Sequence, residues 1–174
     1  MTVDISSFTA DDLSAHLHEL GELLHACVHA GASIGFVLPF VARDSEAFWT
    51  DSVLPGVQAG TRLLLVARQA GHIVGAVQLD YDTMPNQRHR AEVRKLLVHP
   101  ASRRRGIARA LMHEVESAAA RLGRTLLTLD TRTGDCAEPL YTSLGYRTAG
   151  VIPGYCRDTA EDRLDSTTVM YRTL

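Results

Sequence analysis

Lysine is nearly absent from this chain. Of 18 basic residues only one, Lys95, is a lysine; the rest are arginines. Arginine suits bidentate contacts to phosphate, although genome composition alone produces the same skew. Charge of one sign is also lacking. Twenty acidic residues leave a formal net charge of −2, so there is no bulk pull toward nucleic acid or anionic lipid, and any basic site must be local. The three cysteines, Cys27, Cys136 and Cys156, are odd in number, far apart and form no CxxC, which excludes a disulfide scaffold, a zinc knuckle and a redox pair. No apolar run approaches the ~18 residues that span a bilayer; Leu63–Ala67 is typical. The N-terminus MTVDISSFTADD has neither a basic n-region nor an apolar h-region, so a cytoplasmic protein is expected. Among 13 glycines there is no GxG and no GxxxxGK[ST], so the dinucleotide and P-loop fingerprints are missing.

What remains is 174 residues, 45% hydrophobic and 22% charged, with no repeat, no low-complexity segment and no linker. One domain covering residues 1–174 follows. Val3–Ser7 reads as a strand, and Thr9-Ala10-Asp11-Asp12 as a helix start. Leu13, Leu17, Leu20, Leu24 and Val28 then repeat at helical spacing, and a second helical stretch runs from Val41 to Gln58, interrupted at Pro55. Strands are predicted at Arg62–Arg68, Ile73–Tyr81, Ala91–His99, Thr125–Asp130, Tyr146–Ile152 and Thr167–Thr173. A helix is predicted from Arg104 to Leu122, with Ile107, Leu111, Val115, Ala118 and Leu122 on one face, and a short one at Asp135–Leu144. The order is β-α-α-β-β-β-α-β-α-β-β: an α/β (α+β) domain with a mixed, twisted sheet of about seven strands flanked by about four helices. Trp49, on an apolar helix face, belongs to the core.

The most informative stretch is Leu96 to Ala108, LLVHPASRRRGIA. A buried strand ends at a proline, and arginines and a glycine precede a long amphipathic helix. Helix N-terminal amides are unpaired and favour an anion, and Gly106 lets a phosphate approach the backbone. Arg103, Arg104, Arg105 and Arg109 add forked donors. A diphosphate fits; so does a solvated arginine cluster. His25 and His29 stand four apart on the first helix, but no acidic residue completes an HExxH pattern, and no metal is expected.

Arg103-Arg104-Arg105-Gly106-Ile107-Ala108 matches the [QR]xxGx[GA] motif of the GCN5-related N-acetyltransferases (GNAT), the preceding Leu96–Pro100 matches their LxVxP strand, and Tyr141–Tyr146 resembles their YxxxGF segment. The element order is theirs too, over nearly the whole chain. More narrowly, HAGASIGF (29–36), RAEVRKLLV (90–98), LDT (129–131) and PGYC (153–156) look like segments of the tabtoxin-resistance acetyltransferases, which act on a small amino-acid-like β-lactam.

The resemblance implies acetyl-CoA as cosubstrate and no metal. It implies a splay between two central strands into which the pantetheine arm fits. The backbone of Leu96 and Val98 would bond its amides, and Leu97 or Val98 would give an amide to the thioester oxygen. Amides from Arg104 to Ala108, with Arg103, Arg105 and Arg109, would hold the pyrophosphate. Tyr141 would protonate the departing thiolate; the alternative is a tyrosine packed in the core. An acceptor amine must lose a proton, and Glu92 and Asp130 are the carboxylates near the expected splay. Glu92 could instead pair with Arg90 or Arg94, Asp130 could cap the following loop, and His29 or solvent could take the proton. His29, Ser33 and Phe36, which resemble an acceptor wall, and Tyr155 in the PGYC turn are candidate substrate contacts. The expected reaction is direct transfer to a small-molecule amine, with an amino-acid-like toxin or antibiotic among the acceptors. A protein amine and a non-catalytic CoA-binding module are the alternatives. No nucleic-acid or membrane partner is expected, and oligomeric state is not legible.

Overall fold

The computed structural model describes residues 3–174. Thr9 opens the first helix with a capping box: its hydroxyl accepts from the Asp12 amide at 3.1 Å, and the Asp12 carboxylate accepts from the Thr9 amide at 2.9 Å. The chain runs through β1 (Asp4–Phe8), α1 (Ala10–Ala15) and α2 (Leu17–His29). The single helix read from the leucine spacing is therefore two, broken at His16, whose Nδ1 lies 2.9 Å from the Asp12 carbonyl. The second helical stretch is α3 (Ala42–Phe48), a π turn (Trp49–Val53) and α4 (Leu54–Gln58). Pro55 falls in the first turn of α4, where its missing N–H costs nothing, so the break comes before the proline. Trp49 is fully buried, and its Nε1 donates to the Leu20 carbonyl at 2.8 Å.

The remaining elements are β2 (Arg62–Gln69), β3 (His72–Asp80), β4 (Arg90–Val98), α5 (Ile107–Arg121), β5 (Leu126–Arg132), α6 (Ala137–Ser143), β6 (Arg147–Arg157) and β7 (Leu164–Thr173). They make one seven-stranded sheet in the order β1-β2-β3-β4-β5-β7-β6, antiparallel except between β4 and β5. Alternate residues point to opposite faces. On one face α5 buries Ile107, Leu111 and Val115 against Leu65, Val77, Leu79 and Val93. On the other, α2 and the π turn bury Leu20, Leu24, Val28 and Trp49 against Leu64, Val66, Ala76 and Leu97. Each such side chain contributes roughly 1.5–3 kcal/mol.

Three expectations are corrected. Helix α5 starts at Ile107 rather than Arg104, because Arg104 (φ +64°) and Gly106 (φ +81°) are left-handed and cannot continue a helix. Leu122 caps α5 and is exposed, while Met112 and Ala119 complete its buried face. The PGYC segment is not a turn but lies inside β6, where the register with β7 shifts between Ile152 and Cys156; an edge strand tolerates Pro153.

Two features of β4 position the site. It pairs with β5 only at Arg90, Ala91 and Glu92, then runs on to Val98 with that edge free of β5. Its register against β3 also slips by one residue around Lys95, whose φ is +50°: a bulge. Before the bulge Ala91 and Val93 face α5; after it Leu96 and Val98 do, while Leu97 joins the opposite core.

Candidate active site

The His99 amide donates to the Val74 carbonyl of β3 at 2.9 Å. Main-chain groups alternate in direction along a strand. Leu97, opposite Ala76, therefore turns its N–H and C=O toward β3, while those of Leu96 and Val98 turn into the splay. The Val98 carbonyl is already used on that side, accepting from Arg103 Nε at 3.3 Å and Cys27 Sγ at 3.5 Å. Of the two residues considered for the thioester oxygen, Val98 has its amide on the open edge; Leu97 does not.

The splay leads to the start of α5. Among the described residues no acceptor is recorded for the amides of Arg104 to Arg109. A Cβ on Gly106 would meet nothing within 4 Å, so the space beside this glycine is open. Unpaired strand groups continuing into unpaired helix-start amides fit an extended pantetheine arm ending in a pyrophosphate. Arg104 and Arg105 are exposed beside the amides. Ile107 offers only its amide, since its side chain is buried under the sheet. Arg109 is committed elsewhere: its Nη2 donates to Ser143 Oγ of α6 at 2.8 Å.

Tyr141 stands on α6, buried, its ring 5.8 Å from that of Tyr146. No hydrogen bond to its hydroxyl is recorded among the described residues. Burial pushes its phenol well above the ordinary range, reinforced by the nearby charges of Asp130 and Asp135, so it keeps its proton at neutral pH. Leu127 and Leu129 of β5 face α5, which turns Thr128 and Asp130 to the other face, where Glu92 of β4 also points. Glu92 lies opposite Thr128 in the last β4–β5 pair, so Glu92 and Asp130 stand on the same face of the sheet on either side of the point where the two strands part. Asp130 accepts from Thr167 Oγ1 at 2.9 Å. Glu92 lies 3.8 Å from Arg94, which is closer to Asp80 at 3.1 Å. Tyr141 belongs to the core on the α5 face of the sheet, and Glu92 and Asp130 lie on the opposite face.

The substrate-side candidates separate. Phe36 lines a cavity of about 300 Å³ bounded by Ile34, Phe48, Gln78 and Lys95. His29 does not: its Nε2 lies 2.9 Å from the Phe40 carbonyl and its ring is 4.1 Å from that of His25. Ser33 Oγ lies 3.7 Å from Cys156 Sγ, tying the loop after α2 to β6. Tyr155 is 55% exposed on β6. Sequence reasoning missed Gln78, Arg62 and Lys95. The signal for Lys95 was available: in Ala91-Glu92-Val93-Arg94-Lys95-Leu96 two polar residues in a row break a strict alternation.

The family model for the GNAT acetyltransferase domain matches residues 60–148, from just before β2 to the start of β6. The chain belongs to the GNAT acetyltransferases. It is an N-acetyltransferase, and the cosubstrate of the family is acetyl-CoA, which the open β4 edge and the α5 start fit. Solved structures share the fold at low identity. An assigned acetyltransferase from Salmonella typhimurium, yncA, solved with its cofactor acetyl-CoA, superposes with a TM-score of 0.78 at 20% identity, over 100% of this chain and 95% of that one. The ribosomal-protein-alanine N-acetyltransferase of Brucella melitensis gives 0.77 at 21%, over 98% and 99%. A protein assigned as a phosphinothricin N-acetyltransferase gives 0.79 at 16%, over 99% of both chains. Among the described residues of this GNAT enzyme no group of three or more His, Cys, Asp or Glu could hold a metal ion, and no helix is long and apolar enough to cross a membrane.

Proposed function

We propose that this enzyme, as a single domain over residues 1–174, acetylates the amine of a small molecule, of the class of amino-acid-like toxins or antibiotics, by direct attack on the thioester. The observation that carries the reading is the cavity beside β4: at about 300 Å³ it suits a small ligand, and aromatic rings and charged groups line it. The segments that resemble tabtoxin-resistance acetyltransferases support the same class, as does the fold shared with the phosphinothricin acetyltransferase neighbour.

Bound acetyl-CoA supplies an acetyl group activated as a thioester. In this proposal the amides of Arg104 to Ala108, with Arg103 and Arg105, hold the pyrophosphate, and the main chain of Leu96 and Val98 holds the pantetheine. The Val98 amide donates to the thioester oxygen as charge builds there. Glu92 and Asp130 pass the amine proton outward through water, and Tyr141 gives its proton to the departing sulfur. No cysteine needs to act as nucleophile. Burial pushes the Cys27 thiol up, and its Sγ donates to the Val98 carbonyl; burial and Asp135 push the Cys136 thiol up.

The test is an acceptor screen with acetyl-CoA, reading free thiol release against amino acids, β-lactam amino acids, polyamines and peptides with free N-termini. Turnover with small amines is the expected result. Turnover confined to peptides would move the enzyme to the protein-acceptor class, and binding of acetyl-CoA without turnover on any amine would make it a CoA-binding module.

A further inference from the structure

The single lysine of this chain stands at a strained position. Lys95 has φ +50° on the β4 bulge, a left-handed conformation that lysine adopts only when its surroundings impose it. The bulge turns its side chain over the cavity, with Nζ 5.9 Å from the ring centroids of both Phe36 and Phe48 and within reach of Gly35. Two aromatic faces hold an ammonium in place. They do not neutralise it, and Lys95 forms no ion pair among the described residues.

The rest of the lining points the same way. Gln78 is 1% exposed, lines the cavity, and its Nε2 has no hydrogen-bond partner. Arg62 gives its Nη2 to Asp80 at 2.6 Å and its Nη1 to the Ser52 carbonyl, yet its Nε is buried and unpartnered. Arg94 shares Asp80 with Arg62. Three cations thus line this cavity and, among the described residues, no carboxylate does; of the carboxylates near it Asp80 is spent on Arg62 and Arg94, and Glu92 lies 3.8 Å from Arg94. A buried donor without an acceptor and a desolvated cation without an anion are both costly. They coexist here in one small space, where Gln78 Nε2 and Arg62 Nε are buried donors without acceptors beside the unpaired Lys95 ammonium.

We propose that Lys95 and Gln78 form a subsite for a carboxylate on the acceptor, so that the substrate class is an amine that also bears a carboxylate. This rests on the reading that the enzyme acetylates a small amine at the splay. Lys95 Nζ and Gln78 Nε2 supply one donor for each carboxylate oxygen, with Arg62 Nε behind them. Lys95 is three residues along β4 from Glu92; burial and the charge of Arg94 push its ammonium below the ordinary lysine range, against the opposing pull of Asp130 and Glu92. The amine and the carboxylate of one small molecule therefore face different groups of the same strand.

One lysine means one lysine signal. Protein carrying ¹³C,¹⁵N-labelled lysine shows a single side-chain resonance, which can be titrated with N-acetylglycine, a carboxylate that cannot be acetylated, and with N-acetylglycinamide, its neutral counterpart. The acid shifts the Lys95 resonance saturably at ~1–10 mM, the range of a weak charge-assisted contact, and the amide leaves it in place. Gln78→Leu weakens the acid's effect several-fold. Equal shifts by acid and amide, or no shift by either, overturn the subsite. The readout needs no turnover. If N-acetylglycine moves Lys95 but no amine releases thiol, the subsite stands and the catalytic reading falls. If amines are acetylated while Lys95 stays unmoved, the subsite alone falls.

Discussion

Gly106 separates backbone strain from ligand contact, because its φ is +81° while the space in front of it is open. Replacing it with alanine creates no clash. It does force an L-residue into the left-handed region, at a cost of about 1–2 kcal/mol. In a chain of this length that lowers Tm by roughly 2–8 °C. Valine, branched at Cβ, costs more. The added methyl also stands where the pyrophosphate is proposed to approach the amides of Arg104 to Ala108. Losing one or two charge-assisted hydrogen bonds, worth about 1.5–3 kcal/mol each, raises the Kd for acetyl-CoA by a factor on the order of 10 to 10⁴. Gly123 is the internal control. It lies just past the other end of α5, at φ +69°, also with nothing near its would-be Cβ. Gly123→Ala should lower Tm as much as Gly106→Ala and leave Kd alone. Thermal unfolding without ligand and calorimetric titration with acetyl-CoA measure the two effects separately. If Gly106→Ala loses the expected Tm but binds acetyl-CoA like the parent, the loop is not the pyrophosphate site. If it loses neither, the strain argument is wrong as well.

Three further outcomes are expected. Tyr141→Phe lowers kcat by about 10²-fold or more with little change in acetyl-CoA affinity, as loss of a proton donor should; an unchanged kcat, measured where chemistry limits, makes Tyr141 a packing residue. Glu92→Gln and Asp130→Asn each lower kcat/KM by a comparable factor and the double variant by little more, because groups acting through shared water are not additive; three unchanged pH profiles would leave proton removal to His29 or solvent. Gly75→Ala destabilises by about 1–3 kcal/mol in denaturant titration, since its Cβ would sit 2.9 Å from the Leu97 carbonyl, 3.1 Å from Leu111 and 3.2 Å from Ile107; a neutral result would mean that α5 is not seated on β3 as described.

The element order was readable because each segment carries its own period: leucines three and four apart in α2, alternation in β3 and β4. The boundaries that failed did so for local reasons. Arginine is a good helix former, so the sequence predicts helix from Arg104 onward, and only the positive φ of Arg104 and Gly106 says otherwise. Pro153 and Gly154 looked like a turn because sequence does not say which strand lies at an edge, where both are tolerated. At the site, the face that Glu92 and Asp130 share and the one that Tyr141 occupies were legible because strand and helix positions fix them. The partners of His29 and Arg109 were not legible, for the opposite reason. What a long or aromatic polar side chain bonds depends on partners distant in sequence: the Phe40 carbonyl for one, Ser143 for the other. Gln78 was invisible, since nothing in a strand sequence tells a satisfied buried amide from an unsatisfied one.

One residue of slip in β4 ties these parts together. With strict alternation, the face that carries Glu92 and Arg94 would next carry Leu96 and Val98, and Leu97 would turn toward α5. The bulge at Lys95 reverses that parity. Leu97 enters the core under α2, while Leu96 and Val98 move to the α5 side with their main-chain groups on the open edge. The same extra residue is the one whose side chain reaches the cavity between Phe36 and Phe48. A strand cannot aim two consecutive polar side chains at one face without such a slip. The free edge on one side of β4 and the cation on the other are therefore two consequences of a single backbone event, and a shift in that event would disturb both together.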